Sequence, residues 1–129
     1  GLGVPVGETV TYLKRLRLAD RAPVALDHRY IPADLMKGIE LPHFREEALW
    51  RLLSKHKGVN VKEAIFTIKA AGATQDTADA LQVPLGSPVL HHESQVFDVN
   101  GRVVILGSTL YHPDRFVYQT SVQAARIQS

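Results

Sequence analysis

The chain has no cysteine, and only one tryptophan and one methionine, among its 129 residues. Without thiols it has neither a disulfide framework nor a thiolate metal site, and a reducing cytoplasm fits such a chain. Charge of one sign is also scarce. Fifteen Lys and Arg against thirteen Asp and Glu leave a formal net charge of +2. That balance is too small to mark a nucleic-acid surface by itself. No apolar run approaches the ~18–20 residues of a membrane-spanning helix, so no membrane partner is expected. The serines lack a nucleophile-elbow context, and no glycine-rich phosphate loop follows a strand. Six histidines are present. None forms a His-x-x-x-His helical pair, and the adjacent His91 and His92 would point to opposite faces of a strand. The residues therefore suggest no catalytic group, no metal and no cofactor.

What is present is ordinary globular material, with 45% apolar and 22% charged residues. The length suits one domain with a real core, taken here as residues 1–129. The opening "GLGVPVG" lacks a Met, so a fragment of a longer protein is expected.

Thr9 to Ala19 alternates apolar and polar residues, which is the period of a strand. Val10, Tyr12, Lys14, Leu16 and Leu18 share one side. Thr11, Leu13, Arg15, Arg17 and Ala19 share the other. "VALDHRYI" returns as a second strand. A three-residue loop of Asp20, Arg21 and Ala22 sets Ala25 opposite Arg17 and Asp27 opposite Arg15, and that pairing depends on the loop length.

"PADLMKG" reads as a helical turn. "PHFREEALWRLLSKHKG" reads as a helix whose apolar face holds Phe44, Ala48, Leu49, Leu52 and Leu53, closed by Gly58. "VNVKEAIFTIKAAG" is a strand. "TQDTADALQV" is a short helix capped by Thr74 and ended by Pro84 and Gly86. "SPVLHHESQVFDV" and "RVVILGSTLYH" form a hairpin around Asn100-Gly101, a type I′ turn signal. A two-residue loop pairs Val99 with Arg102, Val96 with Ile105 and Leu90 with Tyr111. About five strands and two helices without a βαβ rhythm predict an α+β fold, mainly an antiparallel sheet with flanking short helices.

Arg15 and Arg17 are the leading candidate site. Two guanidiniums on one strand face can each donate twice to a phosphate or carboxylate. The bland alternative is a solvated face or a cross-strand Arg15–Asp27 salt bridge worth under ~1 kcal/mol.

"RLRLADRAPVALDHRYIPADL" resembles the opening hairpin of the UTRA domain, the effector-binding domain of HutC-type GntR-family transcriptional regulators. "ALWRLLSKHKGVNVKEAIFTIKA", "TADALQVPLGSPVLHHESQVFDVNGRVV" and "STLYHPDRFVY" resemble later stretches of that family, in order, from about Thr9 to Tyr118. The resemblance implies a chorismate-lyase-like α+β fold and a ligand-sensing role without enzymatic activity. It implies a small, anionic effector such as a sugar phosphate or organic acid. A bacterial cytoplasmic repressor or other regulator is implied, working as a homodimer. DNA would be bound only through a winged helix-turn-helix domain that precedes this chain.

Position by position, the resemblance matches Arg15 and Arg17 to phosphate-gripping arginines. Asp27 stands where the family has a ligand-contacting glutamate, and is expected either to hold one of the arginines or to contact a ligand hydroxyl or amine. Tyr30 and Tyr111 match aromatic positions. The family's Ser-x-Tyr becomes Ala48-Leu49-Trp50, so Trp50 is expected to narrow the pocket or stack on a ligand. A usual acidic position becomes Ile105. The expected ligand-binding residues are therefore Arg15, Arg17, Asp27, Tyr30, Trp50 and Tyr111. Two other readings stay open: a chorismate-lyase-like enzyme, and a dimerisation module with an idle pocket. A last strand near Phe116 to Gln119 is the expected edge for dimer contact.

Overall fold

The computed structural model describes residues 8–40 and 46–124, apart from the side chains of residues 46–48. The elements are β1 (Val10–Ala19), β2 (Ala22–Pro32), α1 (Ala33–Met36), α2 (Glu46–Lys57), β3 (Val61–Gly72), α3 (Gln75–Leu81), β4 (Pro88–Asp98) and β5 (Val103–Tyr111). The strands form one antiparallel sheet in the order β1-β2-β5-β4-β3. This is the α+β architecture expected, with the four-residue α1 as an additional short helix. The part of the predicted second helix before Glu46, including Phe44, lies outside the described residues, as does the side chain of Ala48.

Helices cover both faces of the sheet. On the first, Leu49 and Leu53 of α2 pack on Ile31, Val96 and Ile105, with Leu35 and Met36 of α1 alongside. On the second, Ala78 and Leu81 of α3 pack on Leu26 and Val89, with Leu110 at the margin. The faces are called here the α2 face and the α3 face. Thr74 caps α3 by accepting from the Thr77 N–H. The helix stops one turn earlier than Pro84 and Gly86, because Gln82 takes the left-handed conformation with φ 59°.

The two hairpin turns are the reverse of the sequence expectation. Asp20 and Arg21 both have positive φ, 50° and 66°, and Ala19 pairs with Ala22. That is a two-residue loop with type I′ backbone signs, on residues that rarely adopt them. A register shift between Arg17 and Leu18 then restores the expected pairs, Arg15 with Asp27 and Arg17 with Ala25.

At the β4–β5 turn only Gly101 has positive φ, 80°. The Gly101 N–H donates to the Asp98 carbonyl and the Asp98 N–H to the Arg102 carbonyl. The loop is therefore three residues, a β-turn followed by a left-handed glycine, and not a type I′ turn. The Asp98 carboxylate accepts from the N–H groups of Asn100 and Arg102. A bulge between Val96 and Phe97 absorbs the extra residue, so Val96–Ile105 and Leu90–Tyr111 pair as expected.

The strand expected near Phe116 to Gln119 does not form. Residues 112–124 carry no strand, and Phe116 instead stacks on Tyr111 with ring centroids 3.6 Å apart. Among the described residues the open sheet edges are β1 and β3. No helix there is long and apolar enough to cross a membrane.

Candidate functional site

In β1, Leu16 and Leu18 are exposed at 40% and 56%, while Arg15 and Arg17 turn toward the α2 face and are half-buried. Hydrophobicity alone would favour the opposite arrangement. What holds the arginines inward is Asp27, whose side chain is only 1% exposed. An ionised carboxylate survives such burial only if it is paired and hydrogen-bonded.

The pairing is thorough. Asp27 Oδ2 accepts from Arg15 Nε and Nη2 at 3.2 and 3.1 Å, and from Arg17 Nε at 2.8 Å. Asp27 Oδ1 accepts from Arg17 Nη2 at 3.2 Å and from Thr109 Oγ1 at 2.7 Å. A third guanidinium, Arg29, reaches within 3.8 Å of Oδ1. Arg29 Nη1 also donates to Thr109 Oγ1 at 3.2 Å and to the His28 carbonyl at 2.9 Å. Burial pushes the Asp27 carboxyl up, but the Thr109 hydroxyl and Arg17 outweigh it and hold it below the usual range.

Tyr111 completes the cluster from β5. Its hydroxyl accepts from Arg17 Nη2 at 3.3 Å, and its ring lies 5.4 Å from the Arg17 guanidinium carbon. Among the described residues Arg17 Nη1 donates to nothing, so one face of the fork keeps two donors for an incoming anion.

Arg29 and Thr109 are not singled out by the sequence. Arg29 is buried and lies two residues beyond Asp27 on the same strand face, so period two could have flagged it. Thr109 opposes Asp27 only through β2–β5 pairing, which joins residues 82 apart in the chain. Gly107 belongs with them. A Cβ there would sit 2.2 Å from Ser94 Oγ and 3.2 Å from the Arg29 guanidinium. The missing side chain is what lets Arg29 cross the sheet.

The six expected residues do not converge on one site. Arg15, Arg17, Asp27 and Tyr111 come together. Tyr30 does not. It faces the α3 side, stacked on Tyr12 at 5.0 Å, and lines a separate cavity of about 270 Å³. Strand alternation makes this unavoidable, since Tyr30 is an odd number of residues from Asp27. Trp50 does not join the cluster either. It lines a third place, a cavity of about 470 Å³ with Arg51, Ser54 and Asn60.

Asp27 holds both arginines, the first of its two expected roles, and donors of Arg17 and Thr109 occupy both of its oxygens. Ile105 is fully buried beneath α2 as a core residue. His91 and His92 do face opposite ways: His91 meets Ser108 on the α3 face, and His92 stacks on Phe66 on the α2 face. A cavity of about 590 Å³ is lined by Thr11, Leu13 and residues of α1 and its following turn, two positions along β1 from Arg15.

The UTRA domain family model matches residues 1–117, and the chain belongs to that family, which supplies the ligand-binding domain of GntR-family transcriptional regulators. It is 30% identical over 122 residues to the HTH-type transcriptional regulator Rv0792c of Mycobacterium tuberculosis, covering 92% of this chain and 44% of that protein. It is 24% identical over 118 residues to the HTH-type transcriptional repressor NagR of Bacillus subtilis, covering 92% and 47%. The chain thus spans less than half the length of these relatives. A GntR-family transcriptional regulator from Enterococcus faecalis superposes with a TM-score of 0.81 at 21% identity, covering 94% of this chain and 86% of that one.

Proposed function

We propose that this chain is the effector-binding domain of a HutC-type GntR regulator, cytoplasmic and homodimeric, which senses a small anionic metabolite. Arg15 and Arg17 hold the anion, and Tyr111 borders it. Asp27 is the buried anchor that orients both guanidiniums. DNA is bound by a winged-helix domain attached ahead of this chain. The effector shifts the population of head orientations by binding one of them more tightly.

The observation that carries this reading is the arrangement at Arg17. Its Nε and Nη2 are fixed on a buried carboxylate, and its Nη1 points to no protein acceptor among the described residues. A guanidinium immobilised on one edge is pre-organised to bind an anion with the other.

The test is a thermal-shift screen of sugar phosphates and organic acids, followed by calorimetric titration of the hit against wild type and Arg17→Ala. A charge-assisted contact worth roughly 1.5–3 kcal/mol predicts a loss of about tenfold to a hundredfold in affinity. Unchanged affinity for an anionic effector would reduce the arginines to structural partners of Asp27.

Chorismate-lyase-like turnover is not expected. Among the described residues Asp27 is the acid in contact with Arg15 and Arg17, and its depressed pKa and occupied oxygens suit neither a general acid nor a general base. Release of pyruvate from chorismate by purified protein would defeat the sensor reading. The homodimer is checked by sedimentation, where a monomer alone at high concentration would count against it.

A further inference from the structure

The α3 face holds a second cavity that the anion site does not use. Beyond α3, the half-buried Tyr30 of β2, Leu106 and Ser108 of β5, and His91, Glu93 and Gln95 of β4 enclose about 270 Å³. This cavity lies on the opposite side of the sheet from Arg15 and Arg17.

Its polar groups form a relay. His91 Nε2 lies 2.7 Å from Ser108 Oγ, and His91 Nδ1 lies 3.6 Å from Glu93 Oε1. Glu93 Oε1 is also 3.0 Å from Lys69 Nζ. Hydrogen bonding to Lys69 keeps Glu93 ionised, and burial pushes His91 below the ordinary imidazole range. The Ser108 hydroxyl, held by His91 at 2.7 Å, keeps lone pairs free toward the cavity. The side-chain amide of Gln95 makes no hydrogen bond within the described residues, although Gln95 is half-buried. Lys69 balances the charge of Glu93, so the lining is close to neutral.

We propose that this cavity is a second ligand site, for a neutral, hydroxyl-rich molecule of about monosaccharide size. Ser108 Oγ, Glu93 and the Gln95 amide oxygen supply acceptors for its hydroxyl groups. The Tyr30 ring and Leu106 supply apolar surface for its C–H face. A second anion is not favoured, since neither Arg nor Lys is among the lining residues and Lys69 is already paired with Glu93. Strand alternation turns the side chains of the two sites to different faces, with Ser94 and Gly107, which border Arg29, also lining this cavity from within the sheet.

The test is titration of the isotope-labelled chain with a panel of neutral hexoses, pentoses and glycerol, following backbone amide resonances. At least one probe gives saturable shifts confined to Tyr30, His91 to Gln95 and Leu106 to Ser108, leaving Arg15 and Arg17 unmoved. Gln95→Leu weakens that binding about threefold to tenfold, the loss of one or two hydrogen bonds. The same spectra report whether the variant is folded. Ser108→Ala serves as a second variant, with the same expected direction. No saturable shift with any probe overturns the proposal, as do shifts that centre on Arg15 and Arg17 or that persist unchanged in both variants.

Discussion

Asp27→Asn tests the anchor directly. The substitution keeps the shape of the side chain but removes its charge, and it turns one acceptor into a donor facing guanidinium donors. Removing one partner of a buried ion pair costs about 3–5 kcal/mol in general. Here Asp27 is 1% exposed, but Arg15 and Arg17 are 32% and 39% exposed, so water screens part of the loss. A cost of about 2–3 kcal/mol is expected. With an m-value of about 1–3 kcal/mol per molar urea, the midpoint falls by roughly 1 M.

The pH dependence gives an independent check. The folded pKa of Asp27 lies below its unfolded value of about 3.9. A depressed carboxyl stabilises the fold above the unfolded pKa, and that contribution disappears as pH falls through the folded pKa. Wild type therefore loses stability below about pH 4, and the Asn variant shows a shallower acid loss. A midpoint shift under about 0.3 M urea at neutral pH, with unchanged m and the same acid limb as wild type, would refute the anchoring role.

Thr109→Val removes a buried hydroxyl that donates to Asp27 at 2.7 Å, and should cost about 1–3 kcal/mol by urea denaturation. Gly107→Ala should destabilise by about 1–3 kcal/mol, since its Cβ would fall 2.2 Å from Ser94 Oγ; adding Ser94→Gly should recover much of the loss. Replacing Asp20-Arg21 by Asn-Gly suits two positive φ values and should stabilise by about 1 kcal/mol, or about 4 °C in Tm by calorimetry. Asp98→Ala removes the acceptor for two turn N–H groups and should cost about 1 kcal/mol, measured in the same way.

The sequence by itself determined the strands, the α3 cap and the facing of Arg15 and Arg17, because side-chain period and capping chemistry act over a few residues. It also determined the Arg15–Asp27 register, though through a turn of the wrong length that a bulge then corrected. Turn type was less legible. Asp20 and Arg21 adopt positive φ with no glycine, because the flanking strands over-determine them, whereas Asn100-Gly101 uses only its glycine. The four matching stretches determined the family. Only the tertiary structure decided the composition of the site. The sequence resemblance groups Tyr30 with the arginines, although its parity along β2 sends it to the other face. Thr109, Gly107 and Arg29 meet because β2 pairs with β5, a contact between residues about eighty apart. Such pairing is fixed by burial across the whole sheet, and no local pattern encodes it.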